Sequence, residues 1–169
     1  MEELSAHMRS KRPRTVLAGP YGHPFHAVMV TVPIGAWVSS FVFDVAALLS
    51  DDPGVFGRGA LWLIGIGIIG ALGAAVLGLH DLSLLQRGTK ARRTGLVHMA
   101  LNLVAVALFA VGFFVRLDAV RDQEFSVFAF ILSIVALGLI GASGWLGGKL
   151  AYHYGVRVAD EETQREGFR

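Results

Sequence analysis

GHPFHAVMVTVPIGAWVSSFVFDVAALL, residues 22–49, decides the fold. From residue 27 to residue 49 its only ionisable side chain is Asp44. A bilayer's hydrocarbon core, about 30 Å thick, needs roughly 20 apolar residues of helix, so this stretch can cross it. Proline is tolerated in a first helical turn, which predicts a helix starting at residues 24–26. Within it His26, Val30, Pro33, Trp37, Ser40 and Asp44 recur at alternating steps of four and three, the spacing of one helical face. That face carries most of the helix's polar groups and is expected to turn away from lipid. Pro33 has no N–H for the carbonyl of Met29, so a kink or a freed acceptor is expected there. Asp44, toward the far end, is expected to pack or cap inside the protein rather than to handle protons.

Working outward, three further apolar blocks of spanning length follow, at residues 60–79, 96–115 and 125–152. They use up most of the 169 residues, of which 54% are hydrophobic and 17% charged, so no room remains for a separate soluble domain. The fold class is all-α: a polytopic membrane protein with a four-transmembrane-helix bundle at 22–158, a basic tail at 1–21 and a polar tail at 159–169. The first apolar run begins too late, is too long and lacks an A-x-A site, which argues against a cleaved signal peptide. With no cysteine in the chain, disulfides, thiolate metal sites, Cys-ligated iron–sulfur clusters and a Cys nucleophile are excluded. The formal charge of +2 comes from short flanking segments, a topology signal rather than a nucleic-acid surface. Lys and Arg number four each in the N-terminal tail, the second loop and the C-terminal end, counting Lys149. The first loop has one, Arg58, and the third, taken as residues 116–124, has two, Arg116 and Arg121. This asymmetry predicts both termini in the cytoplasm.

Gly70, Ala74 and Gly78 form a strip of small residues on the second helix that permits close approach of a neighbour. Its continuation reaches Asp81, with His80 roughly 100° away around the helix. His98 and Asn102 are an i, i+4 pair on the third helix and need partners inside the bundle. Gly144 and Gly148 give the fourth helix a second close-contact face, and Trp145, Tyr152 and Tyr154 suit an interfacial aromatic belt. No internal repeat is visible.

On this topology His23, His26, His80, His98 and His153 all lie on the cytoplasmic side. Each alone is explained as an interface anchor; together they form a layer that two chemistries could use. One is b-type haem held by imidazoles of facing helices, with His26 and His98 as the axial pair and His80 as substitute. Arg92 and Arg93 are then placed to pair the propionates. The other is a transition-metal site drawn from His23, His26, His80, Asp81 and His98, a donor set suited to iron, zinc or copper. Neither HExxH nor a paired Glu-x-x-His motif is present.

Gly22-His23-Pro24-Phe25-His26, Pro33-Ile34-Gly35, Gly88-Thr89 with Ala91-Arg92, His98 with Asn102, and Gly144-Trp145-Leu146-Gly147-Gly148 with Tyr152, Gly155 and Val156 resemble the signature stretches of a bacterial family. It is the group catalogued as domain of unknown function 2231, predicted membrane proteins. The resemblance runs from Gly22 to Val158 and departs at Ala27, where the family pattern has a second proline. It implies a bacterial cytoplasmic membrane location. Some relatives are fused to a Rieske-type iron–sulfur domain, which implies a redox setting and an iron–sulfur protein as redox partner. The expected function is therefore a redox or electron-transfer subunit with haem b or a metal in the histidine layer. The alternative is a structural or partner-binding membrane subunit without cofactor, able to oligomerise through its small-residue faces. A proton pathway through Asp44, Asn102 and the histidines ranks behind both, because many transporters show repeats.

Overall fold

The computed structural model describes Met8, Ser10, Lys11, Val16 and residues 24–168. Four helices are long and apolar enough to cross a membrane: α1 (Phe25–Leu49), α2 (Pro53–Ser83), α3 (Lys90–Arg121) and α4 (Val127–His153). A short α5 (Glu161–Glu166) follows, its N-terminus capped by Asp160, which accepts from the Thr163 N–H at 2.9 Å. The apolar blocks read from sequence are thus the middles of helices whose polar ends run on past them. Helical hydrogen bonding does not stop where hydropathy falls.

The helix ends follow local chemistry. Pro53 stands at the start of α2, where a missing N–H costs nothing. Thr89 caps α3 by accepting from the Arg92 N–H at 3.2 Å. Arg92 and Arg93 therefore belong to the first turn of α3, not to a loop. Inside α1 the α-helical run breaks at Val30, between Met29 and Thr31, one turn before Pro33. This is the interruption that the missing Pro33 N–H demands. The Thr31 hydroxyl donates to the Val28 carbonyl at 2.7 Å beside it. At the end of α4 the helix widens into a π-turn, Lys149–His153, closed by Tyr154 N–H to Lys149 O at 3.0 Å. Gly155, at φ 68, reverses the chain there, a conformation that suits glycine.

The helices pack as two tight hairpins, α1 with α2 and α3 with α4, joined mainly through α2 against α3. The backbones of α1 and α3 stay apart on one diagonal, and their largest side chains meet on the bundle axis. At mid-height Trp37 and Phe109 stack with ring centroids 4.2 Å apart and planes 12° from parallel. Ile64, Ala105 and Ala136 close around them. Such a pair contributes about 0.5–1.5 kcal/mol beyond its burial. Trp37 has room because Gly67 faces its indole, where a Cβ would overlap the ring. The indole N–H reaches the Ile64 carbonyl at 3.4 Å. Outward-facing side chains such as Val42, Trp62, Ile69 and Phe114 are exposed, which suits lipid as the surrounding solvent.

The face predicted for α1 is the buried one: Pro33, Trp37, Ser40 and Asp44 are buried, with His26 half-buried at its head. From His26 to Asp44 is about 27 Å at 1.5 Å per residue, close to the hydrocarbon thickness. The bundle therefore carries a polar group near each end of its axis and an aromatic stack between them.

Candidate functional site: a histidine pair on the bundle axis

His26 is positioned by the small strip of α2. Its Nδ1 lies 2.9 Å from the Ala74 carbonyl oxygen, and since a carbonyl only accepts, Nδ1 carries the proton and donates. Gly78 makes the approach possible: a Cβ there would come within 2.8 Å of the imidazole Cε1. The bond holds the proton on Nδ1 and leaves Nε2 as the nitrogen open to a further partner.

His98 is held the same way by α4. Its Nδ1 donates to the Ser143 carbonyl at 2.8 Å, and Gly147 admits the ring, with a would-be Cβ 3.3 Å from Cε1. Asn102, one turn along α3, sends its amide Nδ2 to the Ser143 hydroxyl at 2.6 Å, the His98 carbonyl at 2.8 Å and His98 Nε2 at 3.3 Å. The Ser143 hydroxyl in turn donates to the His98 carbonyl at 3.1 Å. The two imidazoles meet across the axis with centroids 6.4 Å apart and planes at 86°.

The remaining sequence candidates surround this pair without joining it. His23 lies outside the described residues. His80 lines a shallow depression of about 380 Å³ with Val76, Leu77, Leu79 and Ser83, three of which, Val76, Leu79 and Ser83, are exposed. Asp81 is half-buried and feels the charges of Arg157, His26 and His80. Arg157 Nε stands 3.5 Å from Asp81 Oδ1. Burial holds the Arg157 guanidinium below its ordinary value, and the Asp81 carboxylate draws it partly back. Arg92 turns toward α2, donating from Nη1 to the Leu82 and Leu85 carbonyls at 2.9 Å each and so satisfying that helix's C-terminus. Arg93 is exposed. His153 is exposed against Tyr154, with ring centroids 5.0 Å apart. Among the described residues no group of three His, Cys, Asp or Glu side chains is placed to share one metal ion.

Ser143, Ala74 and Arg157 were not among the site residues expected from the sequence. Ser143 could have been found: it stands in the small-residue run Gly141-Ala142-Ser143-Gly144 of α4, and Asn102 needed a partner. Ala74 acts through its carbonyl, which no side-chain pattern announces.

At the opposite end of the axis, Asp44 meets Arg116. The sequence placed Arg116 in the third loop, but α3 continues to Arg121 and Arg116 is buried on its inner face. Arg116 Nε donates to Asp44 Oδ1 at 3.1 Å while Nη2 reaches Oδ2, a two-point pairing. Its remaining donors go to the Gly112 carbonyl at 3.3 Å, the Ala129 carbonyl at 3.2 Å and the Ser133 hydroxyl at 2.9 Å. Asp44 thus has the packing role expected of it.

Gly144 and Gly148 also differ from expectation. Among the described residues no neighbouring element comes within 4 Å of a Cβ built at either, so their face makes no contact within the described bundle. The family described as predicted membrane protein (DUF2231) matches residues 22–160. Nothing among the curated proteins or the solved structures matches the chain.

Proposed function

The chain belongs to the DUF2231 predicted membrane protein family, and from that premise we propose that it is a membrane redox or electron-transfer subunit whose cofactor is held at His26 and His98. The observation that carries this reading is the pair itself. Two imidazoles from different helices face one another with both Nδ1 atoms anchored on main-chain carbonyls. Ligating histidines are oriented in this way, with the anchored nitrogen fixing the ring and the other nitrogen meeting the metal. The ring centroids stand 6.4 Å apart, so both side chains reach the axis at one level. Asn102 would yield His98 Nε2 to a ligand without losing its other two acceptors, the His98 carbonyl and Ser143 hydroxyl.

Two histidines with no third ligating side chain among the described residues favour the axial pair of a b-type haem over a site closed by protein. A transition-metal ion would need His23 or non-protein ligands to complete its shell. Haem would supply one-electron chemistry at the axis, and Arg93 is the cation left to meet a propionate once Arg92 caps α2.

The histidine end also gathers the positive charge. With Arg116 inside the bundle, the other end keeps Arg58 and Arg121, against Arg87, Lys90, Arg92, Arg93, Lys149 and Arg157 here. That supports a cytoplasmic histidine end in a bacterial membrane, facing an acidic redox partner such as an iron–sulfur protein. Absorption spectra and metal analysis of protein purified in detergent test the reading. A Soret band or stoichiometric metal, lost in His26→Ala and in His98→Ala, is expected. Neither signal after expression with haem and metal supply would overturn it.

A second reading is favoured by one face of α4, where no neighbouring element among the described residues comes within 4 Å of a Cβ at Gly141, Gly144 or Gly148. There the chain would be a partner-binding subunit without cofactor. Gly144→Leu would then abolish assembly while His26→Ala is tolerated. The reverse result would count against it.

A further inference from the structure

The axis pairs fall in one register. His26 meets His98, Trp37 meets Phe109, and Asp44 meets Arg116, each pair 72 residues apart along the chain. On α1 the steps from histidine to aromatic to charge are eleven and seven, and on α3 they are again eleven and seven. The partner helices repeat too. Ala60, Ile64, Gly67, Ala74 and Gly78 of α2 match Ala129, Ser133, Ala136, Ser143 and Gly147 of α4, at steps of four, three, seven and four.

Matching positions do matching work. Ala60 and Ala129 are both fully buried. Ala74 and Ser143 supply the carbonyls that accept from His26 and His98, and Gly78 and Gly147 admit the two rings. Gly67 makes room for the larger aromatic, Trp37, whereas Ala136 packs in the cluster around the smaller one, Phe109. The repeat was invisible in the sequence because it lives in position and role. Few of the matched residues are identical, and most are the small or apolar types common to any membrane helix.

We propose that the chain is two copies of one two-helix hairpin, α1–α2 and α3–α4, joined about a pseudo-twofold axis along the helices, and that Asp44 with Arg116 is the recognition element that selects the unlike pairing. Both hairpins enter from the same end, so the axis runs across the membrane, as in other parallel repeats. Two hairpins this alike present self-complementary faces, so each could also meet its own kind in another molecule. Pairing of first with first would bury Asp44 against Asp44 and crowd Trp37 against Trp37. Pairing of second with second would bury Arg116 against Arg116. Like charges brought together without water oppose both, and only the unlike pairing closes a neutral, two-point contact. The interface between hairpins is thus specified by charge at one end and by size in the middle, while the histidine end keeps its symmetry.

The repeat also predicts which residue would serve a transposed arginine. Arg116 uses the hydroxyl of Ser133, and the position of α2 that matches Ser133 is Ile64, which has none. The experiment is a charge transposition in the full chain, read by the monomer fraction on size exclusion in detergent and by thermal unfolding. Asp44→Arg and Arg116→Asp alone are each expected to abolish the monomer. Combining them should restore part of it, and adding Ile64→Ser should raise unfolding temperature further, while Ile64→Ser in the unaltered protein should not. Co-expressing the two single variants under different tags should also yield a one-to-one complex, because each supplies the hairpin charge the other lacks. The proposal is overturned if the transposed chain with Ile64→Ser is no better than the single variants. Single variants that remain monomeric would overturn it as well. Neither outcome depends on a cofactor.

Discussion

His98 shows how much one ring nitrogen can decide. Its Nδ1 proton is committed to Ser143, so its chemistry is set by what stands beside Nε2, and that is Asn102. Asn102→Leu would leave the Ser143 hydroxyl without its shortest donor. A loss of about 1–3 kcal/mol is expected for a buried polar group deprived of a partner, measurable by thermal unfolding in detergent. Gly78→Val acts on the other ring by steric means. With a cofactor held as proposed, it should lower occupancy as strongly as His26→Ala, because the imidazole loses its seat against α2; unchanged occupancy in a spectral titration would show that the ring has room to shift. Legibility in the sequence was uneven at this scale. His26, His98 and Asn102 stood out because polar side chains are rare inside apolar blocks. Arg116 did not, because a charge at the edge of such a block looks like a loop residue until the next helical turn is known to continue.

At the scale of the element, sequence and structure agree on which stretches are helices and disagree at their ends. A kink or freed acceptor from Pro33 was expected, because proline removes a specific hydrogen bond whatever surrounds it, and the interruption falls at Val30. The extension of α3 back to Lys90 and on to Arg121 was not, since capping and tertiary contacts rather than hydropathy set those limits. Pro33→Ala should let α1 run continuously through Val30. Slower amide hydrogen exchange at residues 30–34 is the expected sign, and it should come with weaker seating of His26, whose register depends on the break. Thr89→Ala removes the cap that the Arg92 N–H uses and should cost about 1 kcal/mol, again by thermal unfolding.

For the whole molecule, the four-helix membrane bundle was plain from the sequence, since long uncharged blocks admit few other folds. The order of contacts on the axis was not, because hydropathy tells inside from outside and says nothing of who faces whom. The cost of breaking the axis is asymmetric. Asp44→Asn leaves Arg116 charged and buried, for which a loss of about 3–5 kcal/mol is expected. Asp44→Leu combined with Arg116→Leu should lose much less, because no uncompensated charge remains. Thermal unfolding of the pair of variants in one detergent checks the difference.

The Trp37–Phe109 stack has a consequence for the cell that carries the protein. Polar groups at both ends of one axis would offer water a route through the bilayer if they were continuous, and every proton that slipped along it would run down the transmembrane gradient. The stacked rings, sealed by Ile64, Ala105 and Ala136, interrupt that route at mid-height. Trp37→Ala should therefore make proteoliposomes leak protons under an imposed potential, read with a pH-sensitive dye, while unaltered protein keeps them tight. The ring pair is a seal as well as a core.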